Sequence, residues 1–67
     1  MISPETKANL IAQGFYVEDM GEEYGSEWAG EFRWMNSVTS DFQDHSTSES
    51  EEAAWVECAN DNLKEAA

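Results

Sequence analysis

Charge constrains this chain before any motif does. Fifteen Asp and Glu stand against three Lys and Arg, so the formal net charge is −12 at pH 7 over 67 residues. A folded chain of this length exposes on the order of 4,200 Å². That leaves roughly one net negative charge per ~350 Å², enough to set a field of several kT outside the surface. Phosphate binding needs clustered Lys and Arg, so the composition excludes direct contact with DNA, RNA or an anionic membrane face. A basic protein is the natural counterpart. The same self-repulsion opposes folding, so the apolar residues must supply a core that offsets it.

Leu, Ile, Val and Phe are few, and few such residues at high net charge is the signature of a disordered chain. Three Trp, two Tyr and three Met change that balance. Aromatic side chains bury about 150–250 Å² each, and here they are spaced as elements rather than scattered. The chain reads as one acidic α+β domain over residues 1–67, of marginal stability, because a domain this small buries only about 60 % of its unfolded surface. No apolar run approaches the ~20 residues of a membrane span. Met1-Ile2-Ser3-Pro4-Glu5 has neither a basic nor an apolar region of a signal peptide, which points to the cytoplasm. The single cysteine, Cys58, forms no internal disulfide and no thiolate zinc site, in keeping with a reducing compartment. Like charge opposes self-association, so a monomer is expected.

Ser3-Pro4-Glu5-Thr6 is a helix start: a Ser N-cap, a Pro in the first turn and an early Glu at the positive end of the dipole. Ala8, Ile11, Ala12 and Phe15 follow at helical spacing with Leu10 beside them, and Gly14 stops the helix. The helix is therefore predicted over 4–13. Phe15 to Met20 reads as a first strand, and the two glycines in 21–26 as a turn. From Trp28 to Asn36, Phe32 and Trp34 alternate with Glu31 and Arg33, the period of a half-buried strand. The two runs make an antiparallel hairpin. Val38, Thr39 and Phe42 leave a third strand open as an alternative. Residues 44–50 are a polar loop, and Ser48-x-x-Glu51 matches a capping box that starts a second helix near Glu49. Trp55, Val56, Ala59 and Leu63 form its apolar stripe, with Ala66 and Ala67 fraying at the end. The architecture is helix, antiparallel sheet of two or three strands, helix.

The acids fall in two groups. Glu57, Asp61 and Glu65 recur at i, i+4, i+8 on the second helix, opposite Trp55, Ala59 and Leu63, with about 6 Å between neighbours. Glu18, Asp19, Glu22, Glu23, Glu27 and Glu31 crowd the hairpin with no base among them. Alternate strand positions lie about 6.6 Å apart, comparable with neighbouring phosphates. Both groups place point charges at phosphate-like separations. Solvation of an acidic surface explains such runs in many domains, but a merely soluble domain mixes both signs. Tyr24 sits among the hairpin acids, where an exposed ring suits Arg and Lys of a partner; folding back over the hairpin is its other reading.

Chemistry of other kinds finds little support. Cys58 lies inside the second helix and reads as a small packed residue on its flank. His45 sits in the polar loop, where simple solvation is expected. Asp41, Gln43, His45, Thr47, Glu49 and Glu52 fall at calcium-loop offsets, but the sixth position lacks Gly, the fifth is His, and a strand precedes them. No metal or other cofactor is expected. Gly21 and Gly25 are surrounded by Glu and would repel phosphate. So small a chain has little room for a water-excluding catalytic pocket, and an enzyme is not expected.

With this length, charge and element order, the segments Leu10-Ile11-Ala12-Gln13-Gly14-Phe15-Tyr16 and Trp28-Ala29-Gly30-Glu31-Phe32-Arg33-Trp34 make the chain resemble the small acidic anti-CRISPR proteins of phages and mobile elements. More narrowly it resembles those that block type I Cascade surveillance complexes, type I-C included. The resemblance spans the whole chain and implies a class of function, inhibition by charge mimicry. Glu18, Asp19, Glu22, Glu23, Glu27, Glu31, Glu57, Asp61 and Glu65 would then occupy the Arg and Lys of a Cas subunit that normally neutralise DNA phosphates, and target DNA would be excluded. The competing expectation is an acidic interaction module, such as a phage assembly factor, adaptor or antitoxin-like partner, binding through its aromatic and apolar surface.

Overall fold

Ser3 opens the first helix as its sequence implies: its Oγ accepts the Thr6 N–H at 3.1 Å, and Pro4 occupies the first turn. From there the computed structural model, which describes residues 1–63, runs through α1 (Pro4–Ala12), β1 (Phe15–Asp19), α2 (Met20–Tyr24), a 3-10 helix (Ser26–Trp28), β2 (Phe32–Asn36) and α3 (Glu51–Asn62). The fold is α+β with a two-stranded antiparallel sheet. Cross-strand partners include Phe15 with Asn36, Val17 with Trp34 and Glu18 with Arg33. Gly14 links α1 to β1 at φ +99°, a conformation that L side chains avoid, and a Cβ there would sit 2.7 Å from Val38.

One face of the sheet carries the core. Leu10, Phe15, Trp34, Trp55 and Cys58 form a buried cluster, with Ile2, Val17, Ala59 and Leu63 packed around it. Phe15 meets Trp34 edge-on, ring centroids 5.6 Å apart at 75°. The other face turns Tyr16, Glu18, Arg33 and Met35 outward. The two helices bury narrower stripes than their periodicity implied. In α1 only Leu10 is buried, while Ala8, Ile11 and Ala12 are exposed, because the short helix touches the sheet and α3 along one edge. In α3 the buried residues are Ala54, Trp55 and Cys58, so Cys58 is central to the core rather than on the helix flank.

Three local expectations are corrected. Residues 21–26, expected as a hairpin turn, instead begin in α2. Asp19 caps it, Oδ1 accepting from Gly21 N at 3.1 Å and Glu22 N at 3.3 Å. Glu22 and Glu23 sit in its first turn, where the dipole favours them. Gly21 is required by close approach, since a Cβ would lie 2.8 Å from the Ala29 Cα. The second strand is consequently shorter than 28–36. No third strand forms among the described residues. The backbone of residues 41–48 pairs with β2 at two isolated bridges only, Met35 with Phe42 and Phe32 with Ser48. Between them the buried Gln43 side chain accepts the Trp34 N–H at 3.1 Å and donates to Ser46 O and Ser48 Oγ. An amide side chain thus does a strand's hydrogen bonding while the backbone of 44–47 bulges away. The capping box at Ser48 is likewise displaced: Ser48 is spent on Phe32, and Ser50 caps α3 by accepting from Ala53 N at 3.0 Å.

Candidate functional site

The acids of the hairpin divide by what holds them. Glu18 faces Arg33 across the strands, as the register requires, and accepts from its Nε at 2.9 Å. Tyr24 completes a closed triangle, its hydroxyl donating to Glu18 at 3.1 Å and accepting from Arg33 Nη2 at 2.9 Å. The guanidinium lies 5.6 Å from the ring centroids of both Tyr24 and Phe42. Partial burial works against its charge, but the hydrogen bonds and attraction of Glu18 and Tyr24 outweigh this and raise its pKa. Tyr24 is therefore folded back over the hairpin, though its ring stays half exposed. Asp19 is engaged as the α2 cap, and Glu31 accepts from the Thr47 hydroxyl at 2.7 Å.

Glu22, Glu23 and Glu27 remain. All three are exposed, and among the described residues none has an ion pair or side-chain hydrogen bond. They project from α2 and the 3-10 helix, a segment whose backbone is tied at both ends. Gly25 N donates to Gly21 O, and Met20 N to Glu31 O at 2.9 Å. Among the described residues, the Lys and Arg side chains do not oppose them. Arg33 is spent on Glu18, and the Lys7 ammonium lies over the Trp55 ring, 5.4 Å from its centroid.

The helical row behaves differently from expectation. Glu57 and Asp61 share a face of α3, but that face meets β2 and the loop before the helix. Asp61 Oδ2 accepts from Trp34 Nε1 at 3.0 Å and lies 2.8 Å from His45 Nε2, with Glu57 4.0 Å from the same nitrogen. Glu65 lies outside the described residues. His45, expected to be simply solvated, is instead the bridge between the loop and α3. Its pKa is raised, first by the hydrogen bond to Asp61 and then by the charges of Asp61, Glu57 and Asp44. Sequence reasoning missed this contact because sixteen residues separate His45 from Asp61; Asp61 is the common partner of His45 and Trp34, and only the packing of α3 on β2 brings it there.

The calcium-loop offsets do not converge. Gln43 is buried in its own hydrogen bonds, Asp41 bonds Thr39, and Glu52 accepts from Ile2 N at 2.8 Å. Cys58 is fully buried and its thiol is pushed up to about 12, chiefly by burial, so it holds no thiolate at neutral pH. An open groove of about 320 Å³ between the N-terminal segment and α3, floored by Ile2, Val56 and Ala59, has no ionisable side chain in its lining. No helix of the described residues is long and apolar enough to cross a membrane. No family model matches the chain, and neither does any curated protein or solved structure.

Proposed function

We propose that this chain is an anti-CRISPR inhibitor that binds a basic nucleic-acid-binding protein in the bacterial cytoplasm, a Cas subunit of a type I Cascade complex, and excludes its target DNA by charge mimicry. The observation that carries the reading is the fate of the cations. With Arg33 closed against Glu18 and Lys7 set over Trp55, no cation of the described residues opposes the carboxylates of Glu22, Glu23 and Glu27, which face solvent on a capped, tied segment. A backbone ordered before binding leaves only the side chains to order on contact, and the field of the carboxylates speeds the approach of a basic partner. Of the acids expected at the interface, these three are the primary contacts. Glu18, Asp19, Tyr24 and Glu31 hold their scaffold, and Glu57 and Asp61 belong to a separate cluster.

The test is competition for target DNA on purified, crRNA-loaded type I Cascade complexes, type I-C first. The wild-type chain is expected to block binding of target DNA, less effectively as salt rises. Replacing Glu22, Glu23 and Glu27 together by Gln should weaken inhibition about tenfold, from ~0.5 kcal/mol per exposed pair. Unchanged inhibition by that variant refutes the acidic-face reading, and absence of inhibition refutes the target.

A second reading, the acidic interaction module, has one observation in its favour. Tyr16 and Phe42, both beside Met35, stay 43 % and 48 % exposed, an aromatic surface that no element of the described residues covers. Loss of partner binding on replacing Tyr16 and Phe42 by Ser, with the three Gln changes silent, would select it.

A further inference from the structure

His45, Glu57 and Asp61 form a cluster that the inhibitor reading leaves unused. Their donor atoms, one imidazole nitrogen and two carboxylate oxygens, all lie within 4.8 Å of one another. We propose that they bind a single divalent first-row transition-metal ion, with Zn²⁺ the best match, that ties the loop before α3 to the helix.

Distances support insertion of an ion once the Glu57 side chain closes in, since the three donor atoms lie within 4.8 Å of one another. Bonds of about 2.0 Å in tetrahedral array place donor atoms about 3.3 Å apart. His45 Nε2 stands 2.8 Å from Asp61 Oδ2 and 4.0 Å from Glu57 Oε1, so the required spacing lies between the two. Glu57 and Asp61 are one turn apart on α3, a rigid pair. His45 comes from a loop pinned on either side, by buried Gln43 and by the Ser48–Phe32 bridge. The surrounding contacts orient the ligands. Trp34 Nε1 donates to Asp61 Oδ2 at 3.0 Å, and Ser46 Oγ lies 3.4 Å from His45 Nδ1, placed to accept the proton that Nδ1 carries when Nε2 binds a metal.

The donor chemistry narrows the ion. Ca²⁺ and Mg²⁺ take oxygen ligands and gain little from an imidazole, whereas a mixed nitrogen and carboxylate set suits Zn²⁺ and its neighbours. The three side chains are 45 %, 42 % and 29 % exposed, which leaves the solvent side of an ion to water. A net charge of −12 raises the local concentration of any cation, so selectivity rather than binding alone is the diagnostic.

The experiment is calorimetric titration of the chelator-stripped full chain with Zn²⁺, Ca²⁺ and Mg²⁺, beside His45→Gln, Glu57→Gln and a control carrying Glu22→Gln and Glu23→Gln. Gln at 45 keeps a donor toward Asp61 while removing the imidazole. One Zn²⁺ per chain is expected, at micromolar Kd and at least tenfold tighter than Ca²⁺ or Mg²⁺. His45→Gln should weaken it tenfold or more and the control no more than twofold. Equal affinity for the three ions, an unaffected His45→Gln chain, or no saturable Zn²⁺ binding below ~1 mM overturns the site. Should both site variants unfold, the ring ¹⁵N resonances of His45 in the wild-type chain decide: Nε2 must shift on adding one equivalent of Zn²⁺, and an unmoved resonance overturns the proposal.

Discussion

Two side chains that occur once each carry opposite lessons at the scale of the residue. Cys58 is legible as unreactive from its place in a helix, and the fold strengthens that by closing the core around it. With its thiol near 12 and full burial, it should react with a thiol reagent at pH 8 about a thousandfold more slowly in the native chain than in urea. Labelling at the unfolded rate would show that the core around Trp55 does not close. His45 was not legible, because its partner is distant in the chain. Its folded pKa is raised, so the native state holds the proton more tightly than the unfolded chain. The associated stability is fully present below about pH 6.5 and is lost as pH rises through the raised value. The groups facing His45 are Asp61 and Glu57 on α3 and Asp44 beside it in the loop. In chelator-containing buffer the wild-type melting temperature should therefore decline from pH 6 to pH 8 more steeply than that of His45→Gln. Parallel profiles would show that the His45–Asp61 contact contributes nothing to stability.

Elements were read correctly where a local device sets them. Ser3 and Pro4 start α1, Gly14 ends it, and the alternation of Phe32 to Asn36 makes β2 without reference to the rest of the chain. The errors lie where a side chain supplies a contact that backbone patterns do not encode. Asp19 could have been recognised as a cap three residues before Glu22; two glycines, which usually signal a turn, concealed a five-residue helix. Gln43 could not have been recognised at all. Its amide stands in for a backbone partner of Trp34, and that role exists only beside β2. Gln43→Leu should therefore cost about 2–3 kcal/mol, since it leaves the buried Trp34 N–H without an acceptor and frees Ser48. Urea denaturation measures the loss, and hydrogen exchange at the Trp34 amide should accelerate with it. A change below 0.5 kcal/mol would mean that water or the backbone replaces the amide.

On the scale of the whole molecule the controlling quantity is the unopposed charge. Screening relieves self-repulsion, so the melting temperature should rise between 10 mM and 300 mM NaCl, as the Debye length shortens from ~30 Å to below 8 Å. A flat profile would show that the acids lie too far apart to repel. Net charge, the α+β order and the Ser3 cap of α1 follow from the sequence alone, because composition and nearest-neighbour contacts determine them. The tertiary structure decided which acids are available. Pairing of β1 with β2 sets Arg33 against Glu18, packing of α3 on β2 brings Asp61 to Trp34 and His45, and Glu22, Glu23 and Glu27 are left facing solvent. Each of these outcomes depends on strand register or helix placement, which are products of the closed core rather than of any local pattern. A count of charges therefore foretells the sign of the field, and only the packing determines where it is felt.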